Sequence, residues 1–258
     1  MAPNPLFIPD FYFSSYLSRG YECYALKAPD ALSLKTKIET AASLFPQSLF
    51  IFDTSSELAG ISWQSFVQDF QQRCGKQVLL SLVYVKSWEE SEKKQLKSFY
   101  TDVVGIQGGL IGLEAGSEKN QERLIRILVK NSAGGRRKTV RVACDESSTA
   151  SFSINGRSYR VPLVDVSTSH FSCDIAHEGQ MLPVYSKLQN TKLLINGRSF
   201  SLDAVLVLRR TVAEQSRLVC MFVDEDGLPG LNEGLEQEFS AWVYTMLSAS
   251  MGAALAHR

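Results

Sequence analysis

The chain has no excess of charge, no closely spaced cysteine pair, few histidines and no obvious apolar run of membrane-spanning length. Each absence removes a class of function. The 27 basic and 27 acidic residues cancel, so the overall field neither gathers nucleic acid nor marks a charged tail, and any bound anion must be held by local groups. The five cysteines, Cys23, Cys74, Cys144, Cys173 and Cys220, are odd in number, widely spaced and mostly set among apolar residues. Reduced thiols fit that pattern better than disulfides or zinc. The opening MAPNPLFIPDFYF lacks a basic stretch followed by an apolar run, so no leader is expected. Ala241 to Ala256 is apolar but short, is preceded by an acidic turn, and reads as a core-facing helix rather than a membrane span. A cytoplasmic location without membrane insertion is expected.

At 258 residues the chain has room for two domains of ordinary size. The first half alternates strand-like with helix-like segments, as in a mostly parallel sheet covered by helices. Strands are predicted at Tyr21 to Lys27, Ser48 to Asp53, Gln77 to Val85 and Gly108 to Leu113. Asp30 is placed to cap a helix whose apolar face runs Leu34, Ile38, Ala41 and Phe45. Further helices fit Ser62 to Cys74, Ser87 to Val104 and Ser117 to Lys130, giving a β-α unit repeated four times.

Asn131-Ser-Ala-Gly-Gly135 then breaks the pattern with small residues, and Arg136-Arg137-Lys138 follows at once. The boundary is placed there, dividing the chain into 1–131 and 132–258. Beyond it the period shifts to two, with strands predicted at Val140 to Cys144, Ala150 to Ile154, Ser158 to Val166, Lys192 to Ile195, Phe200 to Arg209 and Arg217 to Val223. Asn155-Gly156 and Asn196-Gly197 each lie between strand-like runs, where Asn-Gly supplies the two positive-φ positions of a type I′ hairpin turn. Asn232 is a candidate cap for a last helix with Leu235, Phe239, Trp242, Val243 and Met246 on one face. The second half reads as an all-β six-stranded barrel plugged or flanked by that helix.

Two short motifs fall in this half. Arg137-Lys-Thr-Val-Arg141, preceded by Arg136, is an RxxxR spacing at the start of the first barrel strand; Asp165-Val-Ser167-Thr-Ser-His170 closes a later one. In this order, with Leu182-Pro183, the strand from Asp203 to Arg209 and the strand Leu218 to Val223 ending at Asp224, the second half resembles a PilZ domain, whose signature is RxxxR followed by (D/N)xSxxG. The resemblance covers about residues 131 to 250 and implies a receptor for cyclic di-GMP with Arg136, Arg137, Arg141, Asp165, Ser167 and His170 at the ligand. The family glycine falls at His170, which touches any contact that needs a positive φ or a backbone without Cβ.

The chemistry of such a ligand suits these residue types. Two phosphates and two guanines call for fixed cations, planar stacking groups and acceptors for guanine N–H. An arginine fork matches phosphate oxygens or the guanine O6/N7 edge while its plane stacks. An aspartate accepts from guanine N–H, and a serine hydroxyl contacts phosphate or base.

In the first half, Asp53 and Lys86 close strands and Gly108-Gly109, Gly112 and Gly116 precede a helix, but no GK[ST] or full GxGxxG spacing accompanies them. Capping, turn formation and close packing are the expected roles, unless Asp53, Lys86 and the Gly109 to Gly116 loop converge on one pocket. His177 and His257 lack the neighbours of a metal set, and no Ser/His/Asp order stands out. A sensor rather than an enzyme is expected, with no cofactor, no metal and no nucleic acid, signalling through an unidentified protein partner as in motility control. The alternative is a PilZ-like interaction module that does not bind the nucleotide.

Overall fold

The computed structural model describes residues 4–28, 30–54, 60, 62–134, 139–175, 182–212 and 215–256. The chain divides into two compact units, one of Met1–Tyr16, Gly20–Arg137 and Ser248–Arg258, the other of Leu17–Arg19 and Lys138–Leu247.

The first unit contains most of helix α1 (Phe11–Ser18), then α2 (Ala31–Leu44), strand β1 (Leu49–Asp53), α3 (Trp63–Cys74), β2 (Leu79–Val85), α4 (Glu90–Ser98), β3 (Gly109–Leu113) and α5 (Lys119–Lys130). Asp30 caps α2 as expected: its carboxylate accepts from Ser33 N at 2.8 Å, which satisfies an amide the helix leaves unpaired. Leu34, Ile38 and Ala42 of that helix pack with Phe66, Val67 and Phe70 of α3 and with Leu80 and Leu82 of β2 in one apolar cluster. On α5, Leu124 and Leu128 are buried one turn apart. A single π turn, Phe99–Val103, continues α4 and buries Tyr100.

The strands run parallel in the order β1-β2-β3, so the β-α unit occurs with three ladder-forming strands and not four. Tyr21 to Lys27, expected as a strand, joins no ladder, and its residues are mostly half-buried. Alternation reports which side chains are covered, not whether an edge is paired, and Tyr-Glu-Cys-Tyr-Ala-Leu-Lys contains no β-branched residue to favour pairing. Gly108 has a packing reason to lack a side chain, since a Cβ there would stand 2.2 Å from the carbonyl oxygen of Leu80.

The second unit is a closed antiparallel barrel. Its strands are β4 (Arg141–Ala143), β5 (Thr149–Ile154), β6 (Arg157–Ser167), β7 (His170–Ile175), β8 (Lys187–Ile195), β9 (Arg198–Val212) and β10 (Gln215–Val223). They lie in the order β4-β6-β5-β8-β9-β10-β7, and the additional β6–β7 pairing closes a ring of six, with β4 added on β6. The six-stranded ring is as expected, but its membership differs: β7 takes a place in it, and β4 stands outside. Phe152, Ile154, Val166, Phe171, Cys173, Leu188, Leu193, Ile195, Ala204, Leu206, Leu218, Cys220 and Phe222 fill the interior. Both Asn-Gly turns have the expected backbone: φ is 51° and 77° at Asn155-Gly156, and 49° and 79° at Asn196-Gly197.

Asn232 accepts from Leu235 N at 2.9 Å and starts α6 (Glu233–Ala256). Phe239 of α6 is fully buried and meets Phe200 edge-on at 4.9 Å and Phe222 at 5.4 Å, anchoring the helix on the barrel. Begun at Glu233, the helix has 24 residues and is long and apolar enough, by length and composition, to cross a membrane. The segment is therefore longer than expected; its Trp242, Val243 and Leu247 are buried, as a core-facing helix requires, while Gly252, Ala253 and Ala254 near its end are exposed.

Candidate functional site

Strand register brings the second motif against the end of the first. Arg141 stands opposite Ser167, Val142 opposite Val166 and Ala143 opposite Asp165. Because Val142 and Val166 face the interior, alternation sends Arg141 and Asp165 to the outer face of the barrel. That face continues across β7 and β10. Asp165 is opposite Ser172, Met221 opposite His170, Val219 opposite Ser172 and Arg217 opposite Asp174.

Two arginine–aspartate pairs lie on it, and their geometry differs. Arg217 is held by a fork, Nε to Asp174 Oδ1 at 2.8 Å and Nη2 to Oδ2 at 2.9 Å, which is the geometry of a strong bidentate pair. Arg141 reaches Asp165 through Nη1 alone, at 3.4 Å to Oδ1 and 3.5 Å to Oδ2, the far limit of hydrogen bonding. A part-exposed pair of that kind stabilises by about 0–1 kcal/mol, so Arg141 can change partners at little cost. Arg217 cannot.

The turn between β6 and β7 is built on Ser167. Its buried hydroxyl accepts from His170 N at 3.1 Å and from Ser169 N at 3.4 Å, and donates to His170 O at 3.2 Å. Ser167 therefore shapes the turn, and its oxygen is not presented to solvent. His170 itself is the first residue of β7 and is not among the described non-glycine residues with positive φ. A side chain at this position thus carries no backbone strain.

His170 Nδ1 lies 2.8 Å from Ser169 Oγ, which in turn donates to Thr139 Oγ1 at 3.2 Å. This short chain ties the start of the barrel to the turn that follows β6. Burial, and next the Arg141 charge, hold the imidazole below its usual pKa. Beside Asp165, burial pushes the Cys144 thiol up to about 12, with Asp165 and Asp145 adding to it, so this thiol is no nucleophile at neutral pH.

Of the sequence-derived site, Arg141, Asp165, Ser167 and His170 are brought together. Arg136 and Arg137 lie outside the described residues, as do His177 and His257. Sequence reasoning misses Thr139, Ser169 and the Arg217–Asp174 pair. Ser169 and Thr139 sit within or beside the motifs, but their contact spans 30 positions and depends on strand register; likewise Arg217 meets Asp174 only through the β7–β10 ladder.

In the first unit, Asp53 accepts from Asn4 N at 3.1 Å. Lys86 and Arg123 both pair with Glu114 Oε1, at 2.6 and 2.9 Å. Those two cations hold the Glu114 carboxyl below its usual pKa. A cavity of about 650 Å³ beside β1 is lined by Leu26, Ile38, Phe50 and Asp53 among others, but Lys86 and the residues from Gly109 to Gly116 do not line it. All five cysteines are free thiols.

No protein-family model and no curated protein matches the sequence. Among solved structures, YcgR of Escherichia coli in complex with cyclic di-GMP is 15% identical over 48% of this chain and 52% of its own, with a TM-score of 0.41. The isolated PilZ domain of YcgR with cyclic di-GMP is 15% identical over 46% of this chain and 98% of its own, TM-score 0.38. The Bacillus subtilis inhibitor of motility MotI is 14% identical over 46% of this chain and 53% of its own, TM-score 0.34. The match thus spans about half the length of the YcgR and MotI chains. About half of this chain is similar to PilZ-domain proteins of known structure.

Proposed function

We propose that this chain is a cyclic di-GMP receptor that takes the nucleotide on the outer face of its barrel. The observation that carries the reading is Arg141, turned outward beside Asp165 and only loosely paired to it. An incoming phosphate or guanine edge replaces that weak contact with a charge-assisted one. Release of Arg141 also frees the Asp165 carboxylate to accept guanine N–H donors. Ser167 supports both by holding the turn, and Arg136 and Arg137 supply the remaining cations of the motif.

In this reading, domains 1–131 and 132–258 change their arrangement when the nucleotide engages the arginines between them. The change is passed to a protein partner in the cytoplasm, in motility or surface behaviour. No catalytic step is assigned to the chain, and its ligand is the nucleotide rather than a cofactor. Calorimetric titration with cyclic di-GMP tests the reading. Saturable heat at micromolar protein is expected, and none at tens of micromolar from folded material overturns it.

A second reading draws on Ser167, whose hydroxyl is buried and already used in the turn. In it, the barrel is an interaction module that binds a protein without the nucleotide. A flat titration together with a stable complex in pull-downs supports that alternative.

A further inference from the structure

The donor order around His170 determines what that residue does for a ligand at this face, on the reading just proposed. Ser169 has one hydroxyl proton and gives it to Thr139 Oγ1. Its contact with His170 Nδ1 at 2.8 Å must then be accepted by Ser169 from an Nδ1–H. In the neutral ring, this assignment from the network puts the proton on Nδ1 and leaves Nε2 a bare acceptor. Nε2 has no partner among the described residues.

A bare acceptor repels a phosphate oxygen, whereas a protonated Nε2 donates to it. We propose that His170 contacts a phosphate of the bound nucleotide through Nε2 and takes up a proton as it does so, making cyclic di-GMP affinity rise as pH falls. The proton comes from solvent and is returned on release, and no covalent bond changes.

The surroundings are consistent with a ring that is neutral when the face is empty and charged when it is filled. Among the described residues, Arg141 at the start of β4 is the cation that acts on the ring, and Asp165 on β6 is the anion paired with it. Across the ladder on β10 the ring's neighbour is the neutral Met221; Arg217, further along, is neutralised by Asp174. Without ligand, burial and Arg141 favour the neutral ring. With a dianionic ligand, the added negative charge reverses that preference. The affinity gain has the sign of proton uptake: it begins as pH falls through the pKa of the complex and levels off below the lowered pKa of the free protein.

The test is titration calorimetry of the full chain with cyclic di-GMP between pH 6 and 8, in two buffers of different ionisation enthalpy. Uptake approaching one proton per chain is expected, with affinity strengthening by at most about tenfold per pH unit. His170→Gln, and separately His170→Lys with its fixed charge, are expected to lose both the uptake and the pH dependence. Binding with no uptake by the natural sequence overturns the inference and leaves the receptor reading standing. Uptake that survives in both variants also overturns it, because another group then carries the proton. Absence of binding at every pH overturns the receptor reading and the inference together.

Discussion

Arg141 and Arg217 share a face, a residue type and an aspartate partner, yet they differ in how much each pair contributes. Removing Arg217 leaves Asp174, a largely covered carboxylate, without its fork; an unsatisfied partner of this kind costs about 1–3 kcal/mol. Arg141, at 3.4 Å, has less to lose. Arg217→Ala is therefore expected to lower stability in urea by about 1–3 kcal/mol, while Arg141→Ala costs under about 1 kcal/mol but weakens cyclic di-GMP binding at least about tenfold. Arg137→Ala is expected to weaken binding in the same way. Equal affinity in Arg141→Ala and the natural chain places the ligand elsewhere. At His170 the sign of the pH effect on stability follows from its lowered pKa. The unfolded chain binds the proton first, so stability falls as pH drops below about 6.5 toward the folded-state value and is constant above it. Unfolding of the natural chain and His170→Gln at pH 5.5 and 7.5 checks this, since the difference between them isolates that imidazole. Arg141, Asp165 and Ser167 are legible in the sequence because each motif is local. The Ser169–Thr139 contact is not, because it exists only once strands far apart in sequence are placed in register.

Single elements of the barrel make different demands on their residues. Gly197 has φ at 79°, and a Cβ there would meet only open space, so substitution tests backbone conformation without a clash. Gly197→Val is expected to destabilise by about 1–2 kcal/mol in chemical unfolding, since a β-branched residue resists left-handed backbone. Phe239 is fully buried against Phe200, Phe222 and Trp242. Phe239→Ala removes the anchor of α6 and is expected to cost about 3–5 kcal/mol. Both elements are readable in advance, from Asn-Gly between alternating runs and from an asparagine before a helical face. β7 escapes such a reading because it starts so soon after β6 ends that Asp165 to His170 looks like one continuous loop. Tyr21 to Lys27 fails in the opposite direction, as alternation without a ladder.

At the scale of the whole molecule the two units manage sheet edges differently. The barrel joins β6 to β7 and closes its ring, whereas the three-stranded sheet ends on β1 and β3 among the described residues. A closed ring pairs both sides of each strand, while an edge strand opens without breaking a second ladder. Hydrogen exchange is therefore expected to be slowest in β9 and β10 and faster in β1; equal protection contradicts the assignment of edges. By itself, the sequence determined the change from period 3.6 to period two near residue 131, the capped helices, the two hairpin turns and the clustering of Arg141 with a later Asp-x-Ser. These depend on contacts within a few residues, where composition and spacing carry the physics. Only the tertiary structure decided that the ring closes through β6 and β7, that Tyr21 to Lys27 joins no ladder, that Arg141 is loosely held while Arg217 is locked, and that Ser169 orients His170. Those outcomes are set by pairing between distant strands, whose register no local pattern encodes.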